Sequence, residues 1–136
     1  MREILFRGKR TDNGEWVYGY YVCLNRDLHR IYTGYAETDC SAYYPEFYEV
    51  IPETVGQYIG VTDKNGKKIF EGDIVKFGES IGIIYYDEGC FCVKPNKPYW
   101  SRISNPAIDI VMNEYPNEIE VVGNIHDKPE LLKGGC

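Results

Sequence analysis

Apolar residues in this chain rarely recur at the three-to-four-residue spacing of a helix. They come in short runs of β-branched and aromatic side chains, cut by Gly, Asn, Asp and Pro. A chain written this way folds as strands joined by tight turns. The 13 Tyr, 5 Phe and 2 Trp suit half-buried sheet positions, and the 14 Gly suit the turns between them. About nine or ten short strands are predicted, an all-β architecture of barrel or sandwich type with minor helix.

Two Asn-Gly pairs anchor the reading, because both residues tolerate the positive φ of a hairpin turn. Asn13-Gly14 predicts a hairpin over Ile4–Cys23, with Thr11 facing Trp16, Lys9 facing Tyr18, Arg7 facing Tyr20 and Phe6 facing Tyr21. Alternation then sorts two faces. Ile4, Phe6, Gly8, Val17, Gly19, Tyr21 and Cys23 form the expected core side. Leu5, Arg7, Lys9, Trp16, Tyr18, Tyr20 and Val22 form the other. Asn65-Gly66 predicts a second hairpin with Asp63 opposite Lys68 and Val61 opposite Phe70.

Between the hairpins, 29–35 and 46–51 read as strands and 36–45 as an acidic, Tyr-rich loop. Beyond them, Ile74–Phe77, 81–86, Cys90–Val93 and 118–125 read as strands. Asp87-Glu88-Gly89 is a turn with Gly in the left-handed position. Residues 94–106 read as loop and 107–112 as strand or short helical turn. Asp127 is the expected N-cap of a helical turn with Pro129 in its first turn. A composition shift near residue 62 divides an N-terminal β lobe, 1–62, from 63–136. The second segment has the strand count of a small SH3-like barrel and ends in the helical turn.

The net charge is −6, unevenly placed: residues 31–62 hold five acidic groups and no basic ones. Such a chain lacks the overall basic footprint of a general nucleic-acid binder, though a local basic face is compatible with it. The N-terminus lacks the apolar run of a signal peptide, and no stretch has the length of a membrane helix. A cytoplasmic protein with reduced thiols and no membrane partner is expected. Five cysteines at irregular spacing argue against a disulfide framework.

Three segments carry a resemblance. They are Phe6–Arg10 with Asn13–Gly19; Gly56–Gly60 running through Asp63–Val75; and Glu120–Ile125. In order and spacing they resemble the YopX family of phage and prophage proteins, over nearly the whole chain. The resemblance implies a bacteriophage or prophage source and an SH3-like barrel in the C-terminal half. It implies no catalytic residues. Residues 24–50 and 94–117 carry no part of the signature.

Catalytic signals are weak. Gly60 and Gly66-Lys67-Lys68 have the wrong spacing for a phosphate loop and lack its Ser/Thr. Glu71-Gly72-Asp73 reads as a turn in which Gly72 takes an unusual φ and Asp73 caps backbone amides, ahead of a metal-binding or acid–base carboxylate pair. Cys90 and Cys92 share a strand face but lack zinc spacing and histidine partners. A cysteine or serine nucleophile would need His29 or His126 as base, and no motif supplies it. No metal and no cofactor is expected. Asn13, Gly14, Asn65, Gly66, Gly72 and Asp73 are therefore structural positions.

The binding hypothesis rests on Arg7, Lys9, Trp16, Tyr18 and Tyr20, cations among aromatic rings on one sheet face. The leading reading is a packing or subunit interface, in a non-enzymatic interaction module that self-associates as a homo-oligomer or binds a host or phage protein. The acidic 36–53 stretch could dock that basic face in a neighbouring copy. The runner-up is an accessory protein that stacks single-stranded nucleic acid on this face.

Overall fold

The computed structural model describes residues 3–37, 43–78, 80–87, 89–95 and 118–133. Their ten strands are β1 (Phe6–Lys9), β2 (Trp16–Asn25), β3 (Leu28–Glu37), β4 (Tyr43–Glu49), β5 (Gly56–Thr62), β6 (Lys68–Phe70), β7 (Asp73–Phe77), β8 (Ser80–Asp87), β9 (Cys90–Pro95) and β10 (Glu120–Asn124). A 3-10 turn, Pro52–Thr54, and a four-residue helix α1, Glu130–Lys133, complete the described elements. The expected strand or helical turn at 107–112 lies outside the described residues.

The strands form two sheets, ordered β4-β3-β2-β1-β5-β6 and β10-β7-β8-β9, with antiparallel pairing throughout the defined registers. The all-β expectation holds. The second sheet is open: among the described residues its four strands do not close into a barrel. The chain divides into two compact units between Tyr58 and Ile59, inside β5, while the composition shift lies near residue 62.

In the first unit the β1–β2 register differs from the expected one by two residues. Phe6 pairs with Gly19, Arg7 with Tyr18, Gly8 with Val17 and Lys9 with Trp16. The cause is a longer loop. Arg10 N–H donates to Glu15 O at 2.9 Å, and Gly14 N–H donates to Arg10 O at 3.0 Å, leaving Thr11–Gly14 as a four-residue connection. Asn13 Oδ1 accepts the Glu15 amide inside it, and Gly14 has φ 72°. Asp12 forks onto the Arg10 guanidinium at 2.6 and 2.9 Å. A slip of two preserves strand parity, so the two faces keep their expected membership.

Of the stretch 36–45, expected as loop, the described residues 36–37 and 43–45 are ladder. β3 runs to Glu37, and β4 begins at Tyr43 with Tyr35 opposite Pro45. A register shift between Tyr32 and Gly34 bends the pair without ending it. Pro45 is compatible because β4 is an edge strand, where a missing N–H costs no ladder bond. After β4 the chain returns to β1. Thr11 N–H donates to Glu49 O at 3.0 Å and Ile51 N–H to Lys9 O at 2.8 Å. Among the described residues, Ile31 and Val50 are the buried apolar side chains of this unit.

In the second unit Ile69, Val75, Phe77, Ile84, Val93 and Ile119 are buried together, with Ile59, Val61, Phe91 and Val121 packed against them. The β5–β6 turn closes one residue earlier than expected: Asp63 N–H donates to Lys67 O at 2.8 Å, and Gly66 N–H donates to Asp63 O at 3.0 Å. Gly66 has φ 81°, so Lys64-Asn65-Gly66 forms a three-residue loop ending on a left-handed glycine. Asp87 pairs with Cys90, with Gly89 at φ 81° between them. The C-terminal helix begins at Glu130 rather than at Asp127. Asn124 is the reason: its Oδ1 accepts the amides of His126 and Asp127 at 3.0 and 2.9 Å, making an Asx turn where the helix was expected to start.

Candidate functional site

The two-residue slip has a direct effect on the candidate site. It puts Lys9 straight across from Trp16 and Arg7 on the diagonal to it. The Arg7 guanidinium carbon then lies 4.7 Å from the Trp16 ring centroid, and Lys9 Nζ lies 5.5 Å from it. Arg7 is only 5% exposed, so it belongs to the packing of the sheet rather than to an open binding surface. Tyr18 and Tyr20 differ: they are 47% and 67% exposed.

The face continues over strands for which the sequence offered no partner. Tyr20 pairs with Tyr32, and Tyr32 with Phe47, so three aromatics stand in one row across β2, β3 and β4. The Tyr32 and Phe47 ring centroids are 5.2 Å apart. Val22 pairs with Arg30 in the next row, and the Arg30 guanidinium carbon lies 4.1 Å from the Phe47 ring centroid. The hydrogen bond of Arg30 is a long 3.5 Å contact with Tyr32 Oη. Beyond the β3 bulge, Tyr35 returns to this face opposite Pro45 and is highly exposed. An open groove beside the row is lined by Ile4, Leu5, Tyr18, Tyr20 and Tyr32.

Arg30, Tyr32, Tyr35 and Phe47 were missed in the sequence because the β2–β3 register was not assigned. The available signal was Ile31: an apolar residue inside a predicted strand puts Arg30 and Tyr32 on the opposite face.

The opposite face is core. It carries Ile31 and Val50, with the Tyr21 and Phe6 rings 5.7 Å apart. Tyr21 Oη lies 2.6 Å from His29 Nδ1, and His29 Nε2 lies 3.0 Å from Arg26 O. A carbonyl only accepts, so Nε2 carries the proton and Nδ1 accepts from the tyrosine hydroxyl. Burial, and then the Cys23 thiol beside it, push Tyr21 above its ordinary range. Cys23 sits across from His29, but its thiol donates to Asn25 O at 3.3 Å. Both imidazole nitrogens and the Cys23 thiol are thus engaged with other partners. Cys92 is buried, which raises its thiol pKa, with Cys90 adding to the shift. Among the described residues no three His, Cys, Asp or Glu side chains converge where they could hold a metal ion.

The polar positions in the central block bind backbone. Asp63 is buried and accepts three amides: Asn65 and Lys67 at 2.9 Å on Oδ1, and Val121 at 3.0 Å on Oδ2. Burial would raise its pKa, but the amides of Val121, Lys67 and Asn65 outweigh burial and hold it below the ordinary carboxylate value. Asp73 is 1% exposed and accepts the Phe70 amide at 2.8 Å. Gly72 between them has φ 91°; its N–H donates to Ile84 O and its carbonyl accepts from Ile125.

The sequence profile of the YopX family, described as YopX protein, matches residues 5–133. This chain belongs to the YopX family. The crystal structure of protein EF1440 from Enterococcus faecalis is similar to this YopX chain, with 25% identity, 97% of this chain and 99% of that one covered, and a TM-score of 0.60. No curated protein matches in sequence. The resemblance seen in the sequence thus leads to the right family. Its most specific block, Asp63–Val75, holds turns and buried carboxylates that fasten strands together. Among the described residues no helix is long and apolar enough to cross a membrane.

Proposed function

We propose that this YopX protein is a non-enzymatic interaction module of phage or prophage origin, and that its binding surface is the aromatic–basic face of β1–β4. The observation that carries the reading is exposure: Tyr18, Tyr20, Tyr35 and Phe47 stand open on one face of a sheet whose other face holds Ile31 and Val50. Large aromatics left together at a surface mark interaction sites, because tyrosine buries area on contact and keeps a polar tip. The polypeptide form of this reading is self-association in the cytoplasm, with a host or phage protein as the other candidate partner.

Light scattering across a concentration series tests it. Self-association that Tyr20→Ala weakens is the expected result; a strict monomer at high concentration removes the homo-oligomer. Retention of no partner at all by the face, whether protein or nucleic acid, removes the binding surface.

For the second unit we propose the SH3-like barrel. The support is that Ile59 and Val61 of β5 and Ile69 of β6 share one core with Val75, Phe77, Ile84 and Val93, although β5 and β6 belong to the other sheet. Two short sheets wrapped on one set of side chains is how a small five-stranded barrel fills its interior.

A further inference from the structure

We propose that the occupant of the β1–β4 face is single-stranded nucleic acid, stacked on Tyr20 and Tyr32, with Arg30, held over Phe47, taking a phosphate. The inference deepens the interaction reading above by naming the partner, and it rests on that reading. Three observations carry it.

The first is geometry. Tyr20, Tyr32 and Phe47 are in direct register on three adjacent strands, so their side chains follow one another at the inter-strand spacing of about 4.8 Å. A row of rings on an open sheet offers π-faces to successive bases. An acidic peptide has charge but no flat rings to meet them.

The second is charge. The chain is net −6, yet Lys9 and Arg30 stand on this face beside the buried Arg7, against the carboxylates of Glu49 and, at the groove, Glu3. Arg30 and Glu49 are cross-strand partners without an ion pair between them. Lys9 and Arg30 thus stand directly against the rings, over Trp16 and Phe47.

The third is the state of Arg30. Its guanidinium lies over Phe47 at 4.1 Å and spends little of its donor capacity, since its hydrogen bond to Tyr32 is 3.5 Å long. A planar cation held by stacking keeps edge N–H groups for an anionic oxygen. Tyr32 Oη beside it supplies a second polar contact. A base on Tyr20 and Tyr32 and a phosphate at Arg30 are then neighbouring parts of one strand.

The test is fluorescence anisotropy with a labelled oligothymidylate of about 20 nucleotides, at about 50 mM salt and rising. Binding is expected, with Tyr20→Ala weakening it about tenfold. Arg30→Gln should flatten the plot of log affinity against log salt by about 0.7 in slope, one phosphate contact on a single strand. Tyr86→Ala, an exposed tyrosine of the other unit, should leave both unchanged. Thermal melts by circular dichroism confirm that each variant is folded. If Arg30→Gln does not fold, Arg30→Lys keeps the charge, loses the planar stack and is expected to weaken binding.

No binding by the native protein at about 100 μM overturns the proposal. So does binding that ignores both Tyr20→Ala and the Arg30 variant. Polyglutamate binding as tightly as the oligonucleotide also overturns it, while leaving the interaction surface standing. Self-association that Tyr20→Ala weakens, without oligonucleotide binding, separates the two in the same way.

Discussion

Asp63 shows how one side chain is placed by what surrounds it. Burial alone would favour its neutral form, but three amides and no competing acceptor favour the carboxylate. A carboxyl held below its unfolded value of 3.8 contributes stability above that pH and loses it as pH falls through the folded value. Asp63→Asn puts an NH2 group against at least one amide. It should cost about 1–3 kcal/mol in urea unfolding at pH 6, and the gap to native should narrow as pH drops below about 4. A constant gap down to pH 2.5 or so would mean that the charge is not what matters. Asp73, 1% exposed, accepts the Phe70 amide, so the two aspartates of the resembling block are fasteners.

Hairpin loops decide register at the scale of elements, and both Asn-Gly hairpins came out longer than the two-residue form. Around Asn13-Gly14 the loop is four residues, because Asp12 engages Arg10 and Asn13 folds back on Glu15. Around Asn65-Gly66 it is three, because Asp63 takes the amides of Asn65 and Lys67. Local side-chain acceptors beat the bare turn propensity in each case. Gly66→Ala places a Cβ at φ 81° and should cost about 1–2 kcal/mol, read as a lower urea midpoint with unchanged slope. The strands themselves, and the division of β1–β2 into two faces, were legible from alternation. The β2–β3–β4 pairing was not, since nothing in the 36–45 composition distinguishes an acidic loop from an edge strand carrying Pro45. Half of the candidate site therefore lay on a strand pair that only tertiary structure joins.

At the scale of the molecule, burial is unequal between the two units. The first buries Ile31 and Val50, whereas the second gathers Ile69, Val75, Phe77, Ile84, Val93 and Ile119 into one cluster. Amide hydrogen exchange should accordingly rank Ile74–Phe77 and Ile83–Tyr85 slowest and the edge strand β4 fastest among the strands. Faster exchange in β7 than in β4 would reverse the assignment of the stable core. The family and the all-β class were readable in the sequence because turn residues and alternation are local. The β10–β7 pairing was not, because it joins segments far apart along the chain.

One such pairing has a consequence for how the chain is made. Asp63 Oδ2 takes its third amide from Val121, and Lys64 N–H donates to Ile119 O, across more than fifty residues. A ribosome needs roughly 3–12 s to polymerise the residues between them. Through that interval the first unit, Met1–Tyr58, is complete in sequence and free to fold as it emerges. The second unit waits with Asp63 Oδ2 short of its Val121 amide until β10 leaves the exit tunnel. Its folding is thereby timed to the emergence of β10.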